Sequence, residues 1–153
     1  MKGESDMRKK SLLKLFAILV ALSLTSSISF TAAASDVSIM ASDYLVYYRP
    51  DCYADPGGEI EVWFDVNATR EMDYVGASHI IIQVLNNGSL SGVQTYFGTT
   101  ANGMLRANAS HHVGYITYQG VPGKTYRAMV IFYAANSSGS DFRMVYTNTV
   151  VAY

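Results

Sequence analysis

The sequence predicts an all-β domain, an antiparallel sandwich of about seven short strands behind a removable export segment. Three observations predict it. Val, Ile, Tyr, Thr and Phe gather in short runs after residue 43, and Gly, Asn, Ser, Asp and Pro punctuate them every ~8–12 residues. The clearest run, EIEVWFDVN at 59–67, alternates strictly, with Ile60, Val62, Phe64 and Val66 on one parity and Glu61, Trp63 and Asp65 on the other. Such alternation buries one face of a strand and wets the other. Finally, no stretch of the same region carries a helical period of useful length.

The N-terminus has a different character. Residues 1–14 are polar, with Lys2, Arg8, Lys9, Lys10 and Lys14 against Glu4 and Asp6. An uninterrupted, mostly apolar run, LFAILVALSL, follows at 15–24, and small residues (TAAA) occupy 31–34. A basic start, a short apolar core and an A-x-A site are what a signal peptidase reads. The core is shorter than the ~20 apolar residues that span a bilayer. We therefore assign 1–34 as a signal peptide, 35–43 as an N-terminal segment and 44–153 as the β-sandwich domain. The mature chain is expected to be secreted, extracellular and without a transmembrane anchor.

Removal of 1–34 changes the electrostatics. The mature part holds six basic and ten acidic residues, a net charge of −4, whereas the whole chain carries −1. An acidic domain lacks the basic footprint of a nucleic-acid binder. There is one cysteine, Cys52, so no internal disulfide forms and packing alone must hold the fold.

Along the mature chain, strands are expected at 44–49, 59–67, 78–85 and 92–97, then at 113–119, 125–135 and 142–152. Asp55-Pro56-Gly57-Gly58, Asn86-Asn87-Gly88-Ser89 and Gly120-Val121-Pro122-Gly123 are turns, and 136–140 is a hairpin loop. Residues 98–112, rich in Thr, Asn, Ala, Gly and Ser, are expected to form a long loop. This is the pattern of an immunoglobulin-like sandwich; a β-barrel of the same strand count satisfies the same periodicity.

The stretch Val121-Pro122-Gly123-Lys124-Thr125-Tyr126, followed by alternating Ala128, Val130 and Phe132, resembles the approach to the sixth strand of fibronectin type III domains. That resemblance implies that Tyr126 pins the corner between sheets through its hydroxyl. The sequence departs from that family at the second strand, where a tryptophan is usually buried: here Phe64 takes the inward parity and Trp63 faces outward. The segments FDVNAT (64–69), GASHI (76–80) and FYAANSSGSD (132–141) resemble a family of small secreted proteins of unknown function from Gram-positive bacteria. That likeness implies a bacterial, extracellular setting and carries over no catalytic or binding residue.

Several residues invite a chemical role. His111-His112 in a loop could share a metal ion, but no nearby Cys or His completes a set of three or four ligands. Cys52 with a distant histidine (His79, His111 or His112) could act as nucleophile and base in a small hydrolase, though no flanking motif supports it. Asp51, Asp55 and Glu59 could gather around calcium, but at a spacing that matches no known loop. The triplets beginning at Asn67, Asn87, Asn108 and Asn136 match the N-glycosylation pattern, which in a bacterium reflects polar turns. We expect no cofactor, no metal and no enzymatic activity.

What remains is surface. With Tyr126, Ala128, Val130 and Phe132 inward, Met129, Ile131 and Tyr133 face out. With Ile80, Ile82 and Val84 inward, Ile81 and Leu85 face out on a neighbouring strand. Pooled, Ile81, Leu85, Met129, Ile131 and Tyr133 form an apolar patch of the kind that marks interaction sites, unless the 98–112 loop or the segment before Tyr44 covers it. Trp63, with the many tyrosines, suggests a second face able to stack on sugar rings. The expected partner is an extracellular protein, with self-association included, or alternatively a polysaccharide.

Overall fold

The computed structural model describes residues 43–153; the signal peptide and residues 35–42 lie outside the described residues. The domain is all-β and antiparallel throughout. Its strands are β1 (Leu45–Ala54), β2 (Glu59–Asn86), β3 (Ser89–Phe97), β4 (Leu105–Gln119), β5 (Thr125–Asn136), β6 (Gly139–Tyr146) and β7 (Val150–Val151).

β2 organises the two layers. Its first part lies between β1 and β4, with Trp63 paired to Asp51 on one side and Tyr115 on the other. Its last part lies between β3 and β5, with Ile81 paired to Thr95 and Met129. β6 and β7 extend the second layer beyond β5. Among the described residues no ladder joins β1 to β6 or β3 to β4, so the sheet curls into a sandwich and does not close into a barrel.

The expected strands at 59–67 and 78–85 are thus one 28-residue strand. Residues 68–77 contain no Pro or Gly pair to stop it. Register irregularities between Asn67 and Met72 and between Ala77 and His79 let it bend from one layer to the other. The inward parity changes between Met72 and Val75, within the bend, and changes back at the irregularity between Ala77 and His79. Even-numbered residues are buried from Ile60 to Val66 and again at Met72, then Val75 and Ala77, then even positions from Ile80 to Val84. Gly76 sits at this bend with φ +152°, and a Cβ there would overlap the carbonyl oxygen of Met104.

The expected 98–112 loop is also shorter. Only residues 98–104 are non-strand; β4 begins at Leu105 and runs through both histidines. The segment shows no apolar period because its ladder partner, not side-chain burial, holds it: Ala107 and Ala109 pair with Tyr74 and Met72. β1 likewise continues past Arg49 to Ala54, through Pro50. Proline is tolerated on an edge where its missing N–H would face away from the ladder. Pro50 shares the parity of Cys52, whose backbone points away from β2 to Asn148. The Cys52 N–H donates to Asn148 Oδ1 (2.8 Å), and Asn148 Nδ2 donates to the Cys52 carbonyl (2.8 Å). One side-chain amide therefore satisfies the open edge as a paired strand would.

This clamp explains why the expected last strand, 142–152, is interrupted at 147–149. Thr147 turns inward, where its Oγ1 accepts from the Ala128 N–H and donates to the Asn148 carbonyl.

Between the layers Ile60, Val62, Phe64 and Val66 of β2 meet Ala128, Val130, Phe132 and Ala134 of β5, all buried. Phe64 and Phe132 pack edge-on with ring centres 6.4 Å apart. Tyr126 is buried, and its hydroxyl accepts a hydrogen bond from the Val121 N–H at 3.0 Å, so it pins the turn before β5 to the strand. Because a Cβ at Gly76 would overlap the Met104 backbone, Gly76→Ala should lower the unfolding free energy by on the order of 3 kcal/mol. Urea denaturation of the variant measures it.

Candidate interaction faces

The outer face of β3, β2, β5 and β6 is built by simple alternation. On β5 the even residues fill the core, so Arg127, Met129, Ile131 and Tyr133 point out. On β2 the same logic places His79, Ile81, Gln83 and Leu85 out. Across the strands these align in rows. Thr95, Ile81, Met129 and Tyr146 form one; Phe97, His79, Ile131 and Met144 form the next; Tyr133 lies beside Phe142.

The five patch residues expected from the sequence are therefore together. Ile81, Met129, Ile131 and Tyr133 are half-buried against one another and Leu85 is exposed. The rim was not foreseen. Phe97 and Phe142 are each 65% exposed, Met144 55% and Tyr146 47%. The alternation of Phe142, Met144 and Tyr146 with Arg143 and Val145 carries that signal in the sequence.

Polar side chains interrupt the face, and Arg127, Gln83 and His79 are engaged within it. Arg127 Nε donates to Gln83 Oε1 (2.8 Å), and its guanidinium lies over the Tyr146 ring, 4.1 Å from the centre. This cation–π contact buries charge against an aromatic face. His79 packs edge-on against Phe97 at 5.2 Å. The Ser78 hydroxyl donates to the Ile131 carbonyl, so the 3.1 Å contact between His79 Nδ1 and Ser78 Oγ has the imidazole as donor.

Residues 98–104 do not cover this face. The Gly98 N–H donates to the Ser78 carbonyl and the Ala77 N–H to the Met104 carbonyl, which holds the loop against β2. Met104 is fully buried in the core. Asn102 fixes the loop from within, accepting from the Thr99 and Met104 N–H groups and donating to the Phe97 carbonyl. Of the segment before Tyr44, only Asp43 is among the described residues.

The opposite face, on β1, β2 and β4, is of another kind. Trp63 faces outward and Phe64 inward, as the alternation requires. Trp63 lies between Asp51 and Tyr115 across the strands, with Glu61 and Asp65 two residues away on its own strand. Tyr115 is 61% exposed, and Tyr53 and Tyr47 stand exposed farther along β1. Asp51 is paired with Arg49 at 2.8 Å and Asp65 with His111 at 2.8 Å.

The residues with possible chemistry are scattered. His111 and His112 lie on a strand, not in a loop, so they point to opposite faces. His111 reaches Asp65 outside, while His112 turns in, donates from Nε2 to the Gly103 carbonyl (2.7 Å) and packs edge-on against Phe64. His112 and Tyr115 also line a groove of about 660 Å³ with Tyr96 and Thr117, which holds neither a carboxylate nor a thiol. Asp55 closes the β1–β2 turn through its N–H to the Glu59 carbonyl. Among the described residues no group of three His, Cys, Asp or Glu side chains could hold a metal ion. Of the triplet asparagines, Asn67 and Asn108 lie within strands; Asn87, in the β2–β3 turn, and Asn108 adopt positive φ.

Cys52 is buried, and its polar side-chain neighbour is Thr147 rather than a histidine. Burial pushes the thiol up from 9.0 to about 11, the Thr147 contact offsetting part of the rise. The thiolate is the nucleophilic form, so the folded protein should resist thiol reagents at pH 8 and react on denaturation. The raised value also fixes a pH dependence. This group leaves stability intact below about pH 9 and lowers it as pH rises towards 11, where the unfolded thiol has ionised and the folded one has not. Denaturation midpoints from pH 8 to 11 should fall less for Cys52→Ala than for the parent. No family model matches the sequence, and no curated protein matches it either.

Proposed function

We propose that this chain is a secreted, non-enzymatic β-sandwich module that binds protein through the outer face of β3, β2, β5 and β6. The observation that carries the reading is a largely apolar face on which Phe97, Phe142, Met144 and Tyr146 stand exposed around Ile81, Met129 and Ile131. The core does not require it, since β2 and β5 fill the core with their other side. Large contiguous apolar patches on soluble domains mark interaction sites, and aromatic and methionine side chains are enriched in such contacts. The export signal read at residues 1–34 puts the partner outside the cell, at the envelope or beyond it. The test replaces residue 144 with a photo-crosslinking amino acid in the secreted protein. Capture of a protein partner should drop at least tenfold when Ile131→Asp is added, with the melting temperature held within a few degrees. Undiminished capture would remove the face from the function.

A second reading is favoured by Trp63, which faces outward directly beside Tyr115. Paired aromatic rings flanked by carboxylates suit a sugar ring, whose apolar side stacks and whose hydroxyls donate. On this reading, titration with cell-wall or plant polysaccharides shifts the Trp63 fluorescence, and Tyr115→Ala weakens the shift several-fold. An unchanged spectrum at saturating polysaccharide would end this reading.

A further inference from the structure

We infer that the occupant of the apolar face is a second copy of this chain, related by a two-fold axis passing near the row of Ile131 and Met144. The inference rests on the protein-binding reading above and names its partner.

The first support is size. Phe97, Leu85, Phe142, Met144 and Tyr146 are between 39% and 65% exposed. Side chains of this size leave roughly 100 Å² each open, or roughly 500 Å² together. The half-buried centre of the patch adds to that. A standard interface buries about 800 Å² per partner, so these five side chains alone supply more than half of one side.

The second support is charge. The described residues carry nine carboxylate side chains against six basic ones, so two copies share the same sign of net charge. None of the nine lies on this face. Asp51, Glu61 and Asp65 sit on the opposite one, and Asp141 points inward from β6. Its single formal charge, on Arg127, already lies over Tyr146 and is hydrogen-bonded to Gln83. A two-fold interface sets each residue type against the same surface, and like charges placed opposite one another cost several kcal/mol. This is the one broad face on which such a domain meets its own copy without opposing carboxylates. The methionines at 129 and 144 add adaptable side chains that mould to an identical surface.

The test is sedimentation velocity on the protein recovered from the medium, across a hundredfold concentration range. The expected result is a species of twice the chain mass. Its midpoint should shift at least tenfold in Met144→Asp and stay unmoved in Thr117→Asp, on the opposite face. Met144→Cys should form a disulfide-linked dimer under mild oxidation and Thr117→Cys should not, with the native Cys52 buried and silent. A monomer at every concentration that still captures another protein through residue 144 overturns the second copy and leaves the protein-binding reading standing. A monomer that captures nothing overturns both. A monomer that dimerises only after deletion of residues 35–42 shows that the chain covers its own face, and this too overturns the inference.

Discussion

β2 runs for 28 residues and serves both layers of the sandwich, and most of the architecture follows from that sharing. A strand that changes layers must bend without losing its ladder. It must also present apolar side chains to the same core before and after the bend. The bend meets both demands: the inward parity reverses between Met72 and Val75, and the irregularity between Ala77 and His79 restores it. The bend in turn brings the backbone of Gly76 against Met104, which is why the 98–104 connection is short and anchored in the core. β4 starts immediately afterwards because Leu105 already pairs with Gly76.

The domain has no disulfide, so its edges matter as much as its centre. An unpaired strand edge is a template for association with other chains. β1 is blunted by Pro50 and by the two hydrogen bonds that Asn148 and the Cys52 backbone exchange, one donated by each. That arrangement also seals Cys52 inside, with Thr147 beside it, and keeps its thiol protonated. The cysteine that looks reactive in a one-dimensional reading is thus part of the wall closing the core. The two adjacent histidines are separated in the same way, since consecutive residues of β4 face different environments and cannot act on one ligand.

How much of this was legible depended on whether a segment is held by its side chains or by its neighbours. Ile60 to Val66 and Tyr126 to Phe132 fill the core, so their alternation fixed orientation, the outward Trp63, the inward Phe64 and the bonded hydroxyl of Tyr126. The patch of Ile81, Leu85, Met129, Ile131 and Tyr133 followed from the same parity. The strand character of 105–112 did not, because its Asn, Ser, Ala and His residues reflect exposure while its conformation comes from hydrogen bonds to a distant segment. The continuity of β2 through 68–77 was hidden for a related reason. The irregularities break the period at the place where the strand does not break. Phe142, Met144 and Tyr146 were visible residue by residue, but their membership of the patch needed the pairing of β6 with β5.

The sharing of β2 also separates what folding demands from what it leaves free. Folding fixes the inward positions at both ends of the strand and says nothing about the outward ones. At one end these are Glu61, Trp63 and Asp65; at the other they are His79, Ile81, Gln83 and Leu85. The first set is half-buried and sets two carboxylates around the one tryptophan. The second is half apolar and continues into Met129, Ile131 and Met144 on the neighbouring strands. Two ends of one strand, under the same structural rule, carry opposite surface chemistry. An acidic domain that needed only to stay dissolved would spread its carboxylates over both faces, because exposed apolar side chains invite association. Here the outward positions of β5, β6 and the last part of β2 hold no carboxylate, and the alternation that builds the fold does not demand that absence.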